Sequence, residues 1–224
     1  MTMSRRGILG GGAAFAVIAA TQARAMSLLM LGTVTAPKAD QIAARDIISR
    51  LPTDDYVAIM EALSKLDKTE HLSTSGEPFN RRWRHYANPL LVEIWNSMGY
   101  PYRDDCTAWC GVTLGWCLKR AKRALPDDCS SSQSYLNYGI VVKNPAPGDI
   151  CVFTNQGDSS HGHVTIYRST LDAANIEVLG ANQSLSDPTN CGSGITSNII
   201  DQRSMALSTP RHYLNRYVRP PAHQ

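Results

Sequence analysis

Ala108-Trp109-Cys110-Gly111-Val112-Thr113-Leu114-Gly115-Trp116-Cys117-Leu118 is apolar on every face, and the chain turns basic directly after it, at Lys119-Arg120-Ala121-Lys122-Arg123. A helix that is apolar all round is a buried one, so this stretch predicts a central helix. Cations in its last turn suit the negative end of its dipole, and Asp104, Asp105 or Thr107 are placed to cap the positive end. Gly111 and Gly115, four residues apart, lower helix propensity and point to close packing against another element. Cys110 falls in the first turn.

Upstream, Asn88-Pro89 supplies a cap followed by proline at the first helical position, predicting a helix over Leu90–Met98 that stops at Gly99-Tyr100-Pro101. Asp40–Leu51 has helical spacing of Ile42, Ala43, Ile47 and Ile48, with Asp40 as N-cap and Pro52 as the stop. A second helix follows Thr53, with Tyr56, Ile59, Met60, Leu63 and Leu66 on one face. These two helices read as a preface packed on the main domain; a wall-targeting or partner-binding role is the other reading. Residues 26–39 read as a linker.

Downstream of Pro126 come a serine-rich loop, a short Tyr135–Tyr138 stretch and the turn Asn144-Pro145-Ala146-Pro147-Gly148-Asp149. Ile150–Thr154, His163–Arg168 and Ile176–Leu179 are short, β-branched or aromatic runs that read as strands. Tyr213–Val218 could add another. A long buried helix followed by antiparallel-looking strands implies an α+β fold with the helix packed on one sheet face.

The chemistry-bearing residues follow the same order. A thiol attacks as thiolate, and its pKa falls farthest at a helix N-terminus beside a histidine. Cys110 occupies such a position, where backbone N–H groups could also stabilise an oxyanion. His163, after Gly162, opens a strand and could act as base. Asn182, in Gly180-Ala181-Asn182-Gln183-Ser184, could accept the proton of the ring nitrogen facing away from sulfur and so fix the tautomer. Each residue alone has a structural explanation: Cys110 as a small hydrophobe, His163 as a satisfied core histidine, Asn182 as a turn residue. The ordered set of nucleophile, base and orienting residue points to catalysis.

Trp109-Cys110-Gly111-Val112-Thr113-Leu114-Gly115-Trp116-Cys117-Leu118 resembles the WCAAFVNWCL signature of bacterial NlpC/P60- and CHAP-superfamily peptidoglycan hydrolases. Ser134-Tyr135-Leu136-Asn137-Tyr138-Gly139, Pro147-Gly148-Asp149-Ile150, Gly162-His163-Val164 and Leu179-Gly180-Ala181-Asn182-Gln183-Ser184 keep that family's order. The resemblance covers about residues 85–220. It implies a papain-like core, no cofactor or metal, and cleavage of amide bonds in peptidoglycan stem peptides, as endopeptidase or amidase. By position, Cys110 matches the family nucleophile, His163 its general base and Asn182 the polar third residue. Gly111-Val112-Thr113 departs from the usual Ala-Ala-Phe, and Cys106, Cys129, Cys151 and Cys191 are additions to the pattern.

At the other end, Ser4-Arg5-Arg6-Gly7-Ile8-Leu9, an apolar run from Gly10 to Ala20 and Ala23-Arg24-Ala25 have the layout of a cleavable signal of twin-arginine type over residues 1–25. The apolar run is short for a membrane span, although residues 26–31 extend it, so a membrane association would require an uncleaved signal. The expected domain plan is this signal, a linker and helical pre-segment over 26–84, and one hydrolase domain over 85–224, acting in the periplasm or outside the cell. The 22 basic residues become 19 once Arg5, Arg6 and Arg24 leave, matching the 19 acidic ones. A chain without surplus cation is a poor binder of nucleic acid.

Six cysteines in an exported chain suggest disulfides. With Cys110 as a nucleophile, at most two bridges form; Cys106, Cys129 and Cys191 stand in loop-like surroundings as bridge partners, while Cys117 and Cys151 read as core. Three rival functions fit parts of the pattern. A zinc site could be imagined from Cys106, Cys110, His161 and His163, but only one cysteine pair has the usual spacing. The same fold could serve as a non-catalytic wall-binding module, or as an antibacterial effector that would require an immunity or inhibitor protein. Residues 127–134 and 155–161 are the expected specificity loops.

Overall fold

The computed structural model describes residues 35–100, 105–183 and 198–221. The expected signal and the start of the linker lie outside the described residues, as do Asp104, Ser184 and Cys191. Helices α1 (Lys38–Arg50), α2 (Tyr56–Ser64), α3 (Pro89–Ser97) and α4 (Cys110–Arg120) precede a six-stranded antiparallel sheet. The strands are β1 (Ile140–Val142), β2 (Ile150–Asn155), β3 (Asp158–Thr170), β4 (Asn175–Gln183), β5 (Ile199–Ala206) and β6 (His212–Arg219), in spatial order β1-β6-β2-β3-β4-β5. The expected α+β class, with a buried helix on an antiparallel sheet, holds. No described helix is long and apolar enough to cross a membrane.

Helix starts follow side-chain chemistry with two corrections. Asn88 Oδ1 accepts from Leu90 N at 2.9 Å, with Pro89 at N1, as expected. Asp55, not Thr53, caps α2 by accepting from Val57 N. Asp40 is not the cap of α1; it lies inside the first turn, buried, and accepts from Thr74 N and Oγ1 at 2.8 Å each. A carboxylate removed from water needs such donors, and this one ties the Thr74 loop to the helix.

All nine residues from Cys110 to Leu118 are buried. Helix α4 lies between α2 and α3 on one side and β3 and β4 on the other, which explains why no polar face was needed. Its terminal cations reach neighbouring chain ends: Lys119 Nζ donates to Ser97 O, and Arg120 Nε and Nη2 donate to Pro52 O and Leu51 O, all at 2.7 Å. These are orphan carbonyls at the ends of helices α3 and α1, so the basic run fastens three helices together.

One large core joins Ala44, Ile47, Ile59 and Leu63 of the first two helices to Trp95, Trp109, Leu114 and Leu118, and to Val152, Val164 and Ile166 of the sheet. The preface therefore shares its core with the rest of the chain. The second core, Cys151, Phe153, Tyr167, Ile176 and Val178, is drawn from strands alone and belongs to the other sheet face. The alternation of Val152 and Val164 toward one core with Cys151 and Phe153 toward the other is the two-residue period of a strand.

Two strands have no sequence signal strong enough to predict them. β1 is three residues with Ile140 and Val141 exposed, and β5 reads as mixed polar residues, IIDQRSMA. β3 begins at Asp158 rather than His163, so most of the expected 155–161 loop is strand beyond the turn at Gly157.

Candidate functional site

The N-cap of helix α4 is Trp109, whose side chain makes no capping bond. Asp105, one of the expected caps, is fully buried elsewhere, accepting from Trp83 N at 2.9 Å and Asn88 N at 3.1 Å beside Arg82. The orphan donors of the first turn instead meet the Cys110 thiol: the N–H groups of Cys110 and Gly111 act on Sγ, as does that of Val164 on β3. β3 pairs with β4 only from Thr165 onward, which leaves the Val164 N–H available to sulfur at the point where the two strands diverge.

Cys110 is 4% exposed. Burial pushes its pKa up, and the three backbone N–H groups pull only partly against it. The expected fall in pKa at the helix start is thus reversed in the resting protein, because loss of solvent outweighs the amide bonds.

His163 lies within β3, paired with Phe153 of β2, and not at the strand's start. Its pKa is lowered to about 4, first by burial, then by the positive charges of His212 and Arg203, against which the Gln183 side chain acts to raise it. The imidazole is therefore neutral across the physiological range. No hydrogen bond joins it to Cys110 Sγ among the described residues, although the backbone of the next residue, Val164, helps to lower the thiol's pKa against the effect of burial.

The third expected residue is placed differently. Asn182 has φ +57° and sits where the β4–β5 register shifts between Gly180 and Gln183. Its Oδ1 accepts from Asn198 Nδ2 at 2.6 Å. Beyond the irregularity comes Gln183, which pairs with Ile199 of β5. Gln183 is 3% exposed, and its Nε2 donates to Asp201 O at 2.6 Å and to Asp201 Oδ1 at 2.7 Å. Its Oε1 is buried and has no hydrogen-bond partner among the described residues, while the Gln183 side chain acts to raise the pKa of the imidazole.

A frame behind the pair comes from the 3-10 turn Ser132–Asn137. Tyr135 Oη donates to Gly111 O at 2.7 Å, Gln133 Nε2 donates to Phe153 O at 2.9 Å, and Thr154 Oγ1 donates to Gln133 Oε1 at 2.8 Å. Gly162 permits this approach: a Cβ there would lie 1.9 Å from Phe153 O and 2.4 Å from Gln133 Nε2. The close-packed partner of Gly111 and Gly115 is the Cys129–Ser130 segment, whose Cys129 O would lie 2.7 Å from a Cβ at 111, and whose Cys129 Sγ would lie 2.7 Å from one at 115.

Residues 95–182 match the CHAP domain. The resemblance to the NlpC/P60 and CHAP superfamily is thereby supported by the segment carrying Cys110, His163 and Asn182. CHAP domains are typically peptidoglycan hydrolases, amidases or peptidases. No curated protein and no solved structure matches the chain. The CHAP match ends one residue before Gln183 and leaves out helices α1 and α2. It also leaves out the cavity of about 310 Å³ lined by Ser75, Glu77, Arg81, Arg84 and His85, which contains none of the CHAP site residues.

Of the expected bridge partners Cys106 holds and Cys129 fails: Cys129 is free and buried, as are Cys110, Cys117 and Cys151. Cys106 is disulfide-bonded, which removes it as a thiolate ligand and with it the zinc reading that combined it with Cys110, His161 and His163. His161 is exposed, with Nδ1 2.7 Å from Asp158 Oδ2.

Gln183 is the polar side chain near the imidazole that sequence reasoning passed over, although it stood in the quoted motif beside Asn182; the register shift in β4 that places it is not visible in the sequence.

Proposed function

We propose that the protein is an exported cysteine hydrolase that cleaves amide bonds of peptidoglycan, with Cys110 as nucleophile, His163 as general base and Gln183 orienting the imidazole. Asn182 holds the family's third position, but its carbonyl already serves Asn198. Gln183 is the polar side chain acting on the ring. The observation that carries the reading is a buried thiol at the start of a buried helix, packed on the strand β3 that carries the neutral imidazole of His163, within a CHAP-matching segment.

The two pKa directions define the first step. With the thiol raised and the imidazole depressed, the resting pair is neutral, so proton transfer from Sγ to His163 accompanies attack on the amide carbonyl. The new S–C bond places charge on the carbonyl oxygen, and the helix-start N–H groups offer it donors. Collapse breaks the C–N bond as imidazolium protonates the leaving amine. Water, deprotonated by His163, then attacks the thioester, and the departing thiolate takes the proton back. The backbone N–H groups that lower the thiol's pKa are the ones that favour its anionic form.

Export by the twin-arginine route to the periplasm or cell exterior, a papain-like core over 85–224 and a packed preface over 26–84 belong to the same proposal, resting on the sequence of residues 1–25 and on the CHAP match. Digestion of purified sacculi by the wild type, followed by mass spectrometry of the new termini, tests the reaction. Release of stem-peptide fragments or free amine by the wild type, and none by Cys110→Ala, is expected. A Cys110→Ala protein as active as the wild type, or a wild type without released products between about pH 5 and 9, refutes it.

A further inference from the structure

We propose that Asp201 and Arg203 of β5 are positioning residues that fix the direction of the Gln183 amide and, through it, the tautomer of His163. This rests on the reading of His163 as the general base. An amide side chain is nearly symmetric in shape, and which end is oxygen is decided by its hydrogen-bond partners. Here the partners leave no choice. Arg203 Nε donates to Asp201 Oδ1 at 2.9 Å and Oδ2 at 3.2 Å, and Arg203 Nη2 donates to Oδ2. A guanidinium has only donors, so position 201 must present acceptors to it.

The carboxylate meets this demand and keeps Oδ1 for Gln183 Nε2, which also donates to the Asp201 carbonyl. With both Nε2 hydrogens committed to Asp201, Oε1 is the end left for His163. An acceptor on that side requires N–H on the facing ring nitrogen, so in the neutral imidazole the other nitrogen carries the lone pair needed to receive the thiol proton. The order is Arg203, Asp201, Gln183, His163, with each group setting the polarity of the next. Arg203 acts a second time, because its charge helps hold the imidazole in its neutral form. Asp201 and Arg203 are more than half buried in side-chain area, at 28% and 18% exposed, so the ion pair is partly shielded from solvent.

Gln183, Asp201 and Arg203 all lie beyond the segment that matches the CHAP domain, and β5 reads in sequence as an undistinguished polar edge strand. The function of that strand is thus to carry acceptors to the back of the site.

Asp201→Asn is the direct test. An asparagine cannot accept on both sides: its amide nitrogen must face Arg203 or Gln183, and the relief open to the pair is a flip of Gln183 that turns Nε2 toward His163. Nitrogen-15 NMR of the histidine ring, which distinguishes the two neutral tautomers, should show one form in the wild type and a second form in Asp201→Asn. In sacculus digestion kcat should fall at least about tenfold in Asp201→Asn with little change in KM, since a wrong tautomer is costly in a triad.

Arg203→Met provides a separate arm if Asp201→Asn does not fold. Removal of the charge should move the His163 titration upward from about 4. A wild-type tautomer in Asp201→Asn, or an unmoved His163 titration in Arg203→Met, overturns the relay. The NMR readouts need no substrate, so a protein that shows the tautomer switch yet cleaves no peptidoglycan would retain the relay and lose the hydrolase reading.

Discussion

Replacement of Gly111 by alanine sets two well-defined effects against each other. Alanine is the better helix former by about 1 kcal/mol, and a surface helix would gain that amount. In α4 the new Cβ would stand 2.7 Å from Cys129 O, 3.2 Å from Ser130 O and 3.3 Å from Ser130 C. All three are backbone atoms, so no rotamer change relieves the contact, and overpacking without such relief falls in the upper part of the usual range, at about 2–3 kcal/mol. The segment that would have to move is also fixed by Asp128, which accepts from Ser130 N at 2.8 Å and from Tyr100 Oη at 2.8 Å. The cost therefore exceeds the gain, and Gly111→Ala should lose about 1–2 kcal/mol, lowering Tm by roughly 3–6 °C for a chain of this size. Urea unfolding followed by tryptophan fluorescence measures it. The neighbouring Gly115→Ala makes the comparison specific, because its Cβ would meet the Cys129 side chain, at 2.6 Å from Cβ and 2.7 Å from Sγ. In a Cys129→Gly background the penalty at 115 should shrink while the penalty at 111 persists. A Gly111→Ala protein as stable as the wild type, or one rescued by Cys129→Gly, would refute the packing argument. The same contact explains why glycine follows the cysteine here where the family has alanine.

The acid limb of kcat/KM should fall near pH 4, because the free protein's base is held neutral down to about 4 by burial, His212 and Arg203; activity is present above that pH and lost as His163 protonates below it, and a limb near 6.5 would show an ordinary solvated histidine. The same depression means that the unfolded chain binds the proton more tightly, so stability present above about pH 6.5 should decline as pH falls from 6.5 toward 4, measurable by urea titrations across that window. Gly162→Ala should cost about 3 kcal/mol or more and abolish activity, since its Cβ would collide with Phe153 O and part β2 from β3 beside His163; a well-folded, active variant would contradict that register. Alkylation of Cys110 at pH 7 should be slow in the native protein and fast after unfolding, as its thiol is buried with a raised pKa; peptide mapping after iodoacetamide reads it, and rapid native labelling would show an open, thiolate-bearing site.

The sequence by itself determined the parts of this protein that depend on local chemistry and composition. An eleven-residue run with no polar face had to be a buried helix, Asn88-Pro89 had to open one, and alternating β-branched runs placed β2 and the cores of β3, β4 and β6. The order of Cys110 and His163 was equally legible, since residue type and position relative to element ends carry the signal. Tertiary structure decided what depends on partners distant in the chain. Asp105 could have capped α4 but was drawn to Trp83 and Asn88, leaving the helix N–H groups to the thiol. Cys129 looked like a loop cysteine and became the body packed on Gly115. Cys110's pKa direction was set by burial, which no local pattern reports. The different surroundings of Asn182 and Gln183, one bonded to Asn198 and the other to Asp201, were set by a local irregularity in β4 and by acceptors on β5. A single bulge exchanges the faces of a strand, and hydrogen-bond polarity across strands exists only once those strands are paired.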